Sequence, residues 1–560
     1  MRTLSITISS MGAVPSQRLP DIPMTFAQLA QSLEKRAQGK IVLARVGNQL
    51  FELSHVVPQV AKAITLIDTT DTDGYRVYMR SLSFVFLEAV HRLFPDTRTV
   101  IEHSISGGLY CVIQKDDVPV TLDTHQRDAL RCAMREIIDE DIPIVRETMT
   151  FEEAKQLFRS LGRQDKVDLF AQQKGDRVAI YRMGNAVDSF FGYMVPSTAY
   201  VSVFDVELFD RGIVLLGVDR EDKKRVNNFI PTYLLSDTYN EAEKWSERQG
   251  IYTVAQLNRS IENGTIGDVC RMNEALQDQK VMHIAEDIIR RNKRIVLIAA
   301  PSSSGKTSFA YKLMTSLRVL GKRPVAISLD DYFVDRDKTP LDVDGEPDFE
   351  ALEAIDLATF NSDMRALLRG EEVPRIRFDF VAGHRTFTGD MVRLGAEQPI
   401  LLEGIHALNP RLSAQVEDRY KYRIALSVIT QINLDAHNRI PTTDLRLMRR
   451  MVRDLQFRGR DVRETIRTWP DVRRGENRNI FPYSELADVM FNSSFVYEIA
   501  ALKPILEQRL QGIGPEEPEH VEAVRILALL QYFLPLTDTS DVVNTSILRE
   551  FIGGSKLVHE

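Results

Sequence analysis

Between residues 301 and 308 the chain reads PSSSGKTS. Ser302, Ser303, Ser304, Gly305, Lys306, Thr307 and Ser308 are small or flexible residues gathered around one lysine. This is the spacing of G-x-x-x-x-G-K-[ST], with Ala300 in place of the first glycine. A turn of this kind aims successive backbone N–H groups, and the start of a helix, at the phosphates of a nucleoside triphosphate. Lys306 adds a point charge, and the Thr307 hydroxyl is placed to ligate Mg²⁺. Two further groups have the right chemistry. The strand within PVAISLDDYF ends at the carboxylates Asp330 and Asp331, and that within PILLEGIHAL ends at Glu403 and Gly404. The alternatives are a helix N-cap pair for Asp330–Asp331 and a solvated strand end for Glu403.

These residues need elements to hold them. RIVLIAA (294–300) reads as a buried strand ahead of the loop. After the loop, Phe309, Leu313, Leu317 and Leu320 recur at helical spacing until Gly321. The Asp330 and Glu403 segments read as two more strands of the same sheet. In a parallel α/β sheet the ligand crevice lies at the carboxyl ends of the strands, so Asp330 and Glu403 are expected beside Thr307. A third constellation is basic: twelve arginines lie between Arg439 and Arg478. Arg446, Arg449, Arg450 and Arg453 share one broad helix face, and Arg458 and Arg460 flank Gly459. A solvated face paired with Asp444, Asp454 and Asp461, or an RNA-binding patch, are the other readings of this run.

The order of APSSSGKTS, SLDDYF, RFDFVAGHR, ILLEGIHAL and MRRMVRDLQFRGRD resembles the uridine–cytidine kinase and phosphoribulokinase group of P-loop kinases. The resemblance implies an α/β kinase domain over 294–511 that uses ATP and Mg²⁺ to phosphorylate a small hydroxylated substrate, a uridine-type nucleoside first. It implies that Asp330 faces the acceptor hydroxyl and that Thr307, Asp330 and Glu403 hold Mg²⁺. It makes Lys306, Arg450 and Arg453 catalytic and Arg458 and Arg460 phosphate-binding, on a lid that closes over the phosphates. For the acceptor it implies Asp344, Phe378, Phe380, His384 and Arg385. The position matching the base-reading histidine holds Gly383, with His384 one place later. A kinase of a pentose phosphate or a pantothenate-like acid, and an RNA- or tRNA-binding regulator with an ATP switch, remain alternatives.

The front of the chain reads differently. Residues 1–68 show a strand, a turn through Pro15 to Pro23, a helix from about Thr25 and a hairpin turning at Gly47–Asn48. The pattern resembles the β-grasp TGS module of threonyl-tRNA synthetases. Over 69–239, a helix at 81–94, helices near 123–139 and 151–161, and the segments RSLSFVFLEAVHRLFPD, MREIIDEDIPIVRETMTFEEAKQLF and FFGYMVPSTAYV resemble the α+β editing domain that follows that module. The resemblance implies a set of two histidines, a cysteine and a histidine, able to hold zinc. Here those positions carry Arg80, Phe84, Phe190 and Met194, so neither zinc nor editing is expected. Residues 240–293 read as a helical connector and 512–560 as a helical tail without chemistry.

The whole is thus a multidomain α+β and α/β chain of 560 residues, consistent with several cores. Its net charge of −8 argues against a dedicated DNA-coating protein. Cys111, Cys132 and Cys270 are too few for a disulfide framework. No stretch approaches the ~20 apolar residues of a membrane span. A cytoplasmic protein, with no membrane partner and an expected homo-oligomeric assembly, is the resulting picture.

Overall fold

The computed structural model describes residues 2–19, 23–173, 175–341, 345, 347–379 and 382–557. The first unit is a five-stranded sheet crossed by one helix, Phe26–Leu33. Its first strand, Arg2–Ile8, runs parallel to Ala63–Asp68, and the remaining pairs are antiparallel. Thr25 starts the helix through a reciprocal capping box with Gln28, and Phe26, Leu29, Ala30 and Leu33 face the sheet. The expected turn through Pro15 is instead an edge strand, Gly12–Leu19. An edge tolerates proline because its outward side offers no ladder hydrogen bond to lose, and the polar sequence hid it.

In the second unit the long helix is Thr72–Leu93, nine residues longer at its start than the periodicity predicts. TDTDGY reads as a turn, yet Asp71 caps the helix by accepting from the Asp73 N–H. Gly74 lies against the Asp68 carbonyl so closely that a methyl group there would collide with it. The helices near 123–139 and 151–161 are Thr124–Asp139 and Phe151–Ser160, each begun by a capping box, Asp123–Gln126 and Thr150–Glu153. The connector helices are Tyr233–Gln249, Val254–Glu262 and Ile266–Arg290, so helix begins before residue 240.

The third unit is a parallel five-stranded sheet: β1 (Ile295–Ala299), β2 (Val325–Ser328), β3 (Ile400–Glu403), β4 (Lys421–Ser427) and β5 (Val489–Asn492), in the order β2-β3-β1-β4-β5. Around it lie α1 (Lys306–Val319), α2 (Thr442–Phe457), α3 (Val462–Asn479) and, near the C-terminus, the short α4 (Arg549–Ile552). The central β1 is fully buried, as a strand covered on both faces must be. The chain is therefore a multidomain protein with an α/β unit built on a parallel sheet.

Packing does not stop at the unit boundaries. The largest apolar core joins Phe158 and Phe170 of the second unit, Ile284 of the connector, Phe309 and Met448 of the third, and Phe551 of the tail. A polar latch joins front and back. Lys166, fully buried, sits 3.0 Å from both Asp188 and Asp435 and donates to the Ser189 carbonyl at 2.7 Å. The Phe191 N–H donates to Asn438 Oδ1, and the Ile101 N–H to the Ala436 carbonyl. Residues 433–438 thus grip the front half just ahead of α2. No described helix is long and apolar enough to cross a membrane.

Candidate functional site

The loop between β1 and α1 is bent by two left-handed residues, Ser303 (φ 61°) and Gly305 (φ 74°). At Gly305 a side chain is excluded twice over, by φ and by Ile547, which a β-carbon would strike. α1 begins directly at Lys306 with no cap from Gly305, and in its first turn the Ser308 N–H is taken by Glu550. The hydroxyls of Ser303 and Ser304 are buried and have no hydrogen-bond partner among the described residues.

α2 fastens this loop from one side. Arg446 donates to the Ser302 carbonyl and ion-pairs with Glu476 of α3, which also accepts from the Ser302 N–H at 3.0 Å. Arg449, with no exposed surface, pairs with Glu498 and donates to the carbonyls of Ser303 and Ser493. Arg450 donates to the Ser302 hydroxyl at 2.7 Å. Burial draws the guanidinium of Arg446 down to about 10, and burial together with Arg458 does the same to Arg453. The expected single lid face is therefore two sets. Arg446 and Arg449 are fixed scaffold, paired with glutamates outside their own helix, while Arg450 reaches the loop at Ser302 and lies 3.4 Å from Asp454, and Arg453 lies 3.9 Å from the same Asp454. Both have an Nε without a hydrogen bond among the described residues. Arg458 and Arg460 are about half exposed, 3.5 Å from Asp454 and Glu464 respectively.

The carboxylates arrive by strand register. Glu403 pairs with Ile298 on one side and Ser328 on the other, so it ends beside both the loop strand and the Asp330 strand. Asp330 follows on a 3-10 turn, Leu329–Tyr332, its N–H donating to Ser328 Oγ. Lys306 Nζ stands 3.9 Å from Glu403 Oε2. Burial pushes the Glu403 carboxyl up, Lys306 opposes this, and Asp330, Glu550 and Asp331 reinforce it. A buried carboxylate oxygen without a hydrogen bond among the described residues, next to further carboxylates, fits a divalent cation. Thr307, Asp330 and Glu403 are the residues that could hold it, although no group of three or more Asp, Glu, His or Cys side chains is arranged around a metal position among the described residues.

The acceptor side matches expectation less well. Phe378 lies in an apolar core, edge-on to Phe333 with ring centroids 5.7 Å apart, so it packs instead of offering a free face to a base. Arg385 is held by Asp356 at 3.0 Å, and its N–H donates to Asp335. His384 is exposed at the end of a hairpin, lining a depression with Asp335, Arg336 and Asp337. Asp344 and Phe380 lie outside the described residues.

Sequence reasoning missed Glu476 and Glu550. Glu476 hid among the arginines of α3. Glu550 lies in the tail that promised no chemistry, yet it accepts from the Ser308 hydroxyl at 2.6 Å and from the Ser308 N–H at 3.3 Å. Only chain proximity through the fold reveals it.

The corresponding place in the second unit is filled. Phe84 and Phe190 pack with ring centroids 5.2 Å apart. Arg80 donates to the Tyr193 carbonyl, and Met194 is buried, its N–H bonded to Glu52 of the first unit. Two rings, a thioether and a guanidinium occupy the space, and none of them is a zinc ligand.

Residues 295–500 match the model of the Phosphoribulokinase / Uridine kinase family. The N-terminal half has threonine–tRNA ligase-like homology. The enzyme of Hyphomonas neptunium is 30% identical over 172 residues, 30% of this chain and 26% of that one. That of Oleidesulfovibrio alaskensis is 30% identical over 176 residues, 31% and 27% of the two chains. The chain thus spans about a quarter of the length of these curated relatives. Among solved structures, a D-glycerate 3-kinase from Cryptococcus neoformans aligns at 14% identity over 37% of this chain and 86% of its own, with a TM-score of 0.25.

Proposed function

We propose that the chain is an ATP- and Mg²⁺-dependent kinase that transfers the γ-phosphate to the 5′-hydroxyl of a nucleoside, uridine being the first candidate. What supports this reading most is Lys306 at 3.9 Å from Glu403, whose strand register sets it beside the strand that leads to Asp330. The family match over residues 295–500 supports it.

In this reading the loop N–H groups and Lys306 hold the β- and γ-phosphates. Mg²⁺, held by Thr307, Asp330 and Glu403, supplies neutralisation of the phosphate oxygens. Asp330 orients the acceptor hydroxyl and takes its proton late, as the new O–P bond forms and the bond to the β–γ bridging oxygen breaks, releasing ADP. Arg450 and Arg453 face the charge that spreads over the equatorial oxygens. Arg458 and Arg460 approach from the end of α2, and the hydroxyls of Ser302, Ser303, Ser304 and Ser308 line the loop.

The division that goes with this is a TGS-like β-grasp unit (1–68), an editing-type unit without its ligands (69–239), a connector (240–293), the kinase (294–511) and a tail (512–560), acting in the cytoplasm as a homo-oligomer. The synthetase-like half supports an RNA contact as a secondary role. The substrate is the least supported element. Gly383 in the base-reading position and the Arg385–Asp356 pair favour, as the second reading, another hydroxylated metabolite such as a pentose phosphate or pantothenate-like acid. The test is ATP turnover by the full chain against a panel of nucleosides, pentose phosphates and pantothenate. Stimulation by uridine supports the first reading, stimulation by a non-nucleoside alone supports the second, and no stimulation by any acceptor removes both.

A further inference from the structure

The phosphate loop is bracketed by two carboxylates that come from far along the chain. At its entry Glu476 accepts from the Ser302 N–H. At its exit Glu550 accepts from both the N–H and the hydroxyl of Ser308, in the first turn of α1. The second contact has no local cause, since 242 residues separate the partners. It is made by a segment that is part of the core: Ile547, Leu548 and Phe551 have no exposed surface, and Ile547 packs directly over Gly305. The Arg449 guanidinium lies 4.8 Å from the centre of the Phe551 ring, which ties the same segment to α2.

A carboxylate on the free N–H groups at the start of a helix stands where an anion binds. In a loop of this type the lysine reaches the β- and γ-phosphates, while the backbone N–H groups cradle the α- and β-phosphates. Ser308, two residues beyond Lys306 on the helix side, carries the N–H assigned here to the phosphate nearest the nucleoside. We propose that Glu550 is an internal stand-in for the α-phosphate of the nucleotide, so that a nucleoside triphosphate binds only as the Glu550 side chain gives up Ser308. This rests on the nucleotide-binding reading above and adds to it a residue that sets nucleotide affinity. Because the apolar residues around it are fully buried, the side chain moves while the segment stays. A ligand that fills only the β- and γ-positions, such as pyrophosphate, does not compete with Glu550.

Calorimetric titration of the full chain with MgATP and with magnesium pyrophosphate tests this, with thermal melts to verify folding. Glu550→Gln and Glu550→Ala are expected to bind MgATP about tenfold more tightly than the wild type, a gain of about 1.4 kcal/mol. Pyrophosphate affinity stays within about twofold. Ser308→Ala, which removes one of the two donors and leaves the core intact, tightens MgATP binding by about two- to threefold. MgATP affinity unchanged or weaker in all three variants overturns the proposal. Equal tightening for both ligands also overturns it, since simple removal of a negative charge then suffices. If the wild type and every variant fail to bind MgATP at all, the kinase reading falls and this proposal with it.

Discussion

The loop between β1 and α1 and the filled pocket of the second unit differ in how their polar groups are treated. Around Phe190 the described polar groups have partners: Arg80 donates to a carbonyl, Tyr181 donates to Glu52 at 2.6 Å, and the rings close the space. Around Gly305 the Ser303 and Ser304 hydroxyls, a Glu403 oxygen and two guanidinium nitrogens are buried without a hydrogen bond among the described residues. Burying such groups unpaired costs about 1–3 kcal/mol each, which a fold sustains where a ligand later satisfies them. The comparison sets completed packing in the second unit against buried polar groups left unpaired among the described residues around the loop.

The largest effect that tests this contrast is at Asp330. Asp330→Asn keeps the shape of the side chain but removes the proton acceptor, and turnover is expected to fall by about 10³-fold. MgATP binding, measured separately, changes far less. Turnover within about tenfold of the wild type removes Asp330 from its role.

The opposite expectation holds across the latch. Phe190→Ala opens a cavity beside Phe84 and Tyr181 and is expected to cost about 3–5 kcal/mol of stability. The kinetic constants of the folded protein stay unchanged. A chemical melt and a steady-state assay at a temperature where the variant is folded separate the two. A selective loss of turnover in folded protein gives the second unit a part in the chemistry.

How much of this was legible beforehand follows from the range of the interactions. PSSSGKTS, its flanking strand and its helix are local, and they fold as their sequence reads. Asp330 and Glu403 were expected together from the rule that strand ends converge, and the register sets Glu403 opposite Ser328, two residues before Asp330. The arginine face was legible as a face but not as inside or outside. Arg446 and Arg449 look solvated by helical spacing, and are buried because Glu476 and Glu498, 30 and 49 residues away, pair with them. Gly12–Leu19 went unseen because an edge strand needs no apolar alternation, and the start of the long helix because Asp71 and Gly74 read as a turn. Glu550 had no local signal at all.

A smaller effect concerns pH. Burial raises the Glu403 carboxyl above its ordinary 4.5, with Asp330 and Glu550 adding to the shift and Lys306 opposing it. A raised carboxylate is neutral over part of the range where a free glutamate is charged, so cation and MgATP affinity are lost as pH falls toward the raised value. The acid limb of kcat/KM is therefore expected above the usual carboxylate range, and Glu403→Gln flattens it while lowering the plateau. An acid limb that persists unchanged in Glu403→Gln assigns it to another group.

The smallest effect distinguishes a lid from a solvated surface. Arg458 and Arg460 are about half exposed, and their ion pairs with Asp454 and Glu464 are of the kind worth about 0.2–1 kcal/mol. Replacing both by alanine should leave the melting temperature nearly unchanged. If they close over the phosphates, the same double variant lowers kcat by about tenfold, and added salt weakens the wild type more than the variant, because exposed charges are screened. Arg446→Ala gives the matching control from the buried set: it removes one partner of Glu476, leaving Arg473 at 3.0 Å and the Ser302 N–H, and is expected to cost up to about 3 kcal/mol in stability. A double variant with wild-type kcat at every salt concentration would leave Arg450 and Arg453 as the arginines that meet the phosphates, and would make the end of α2 a surface like any other.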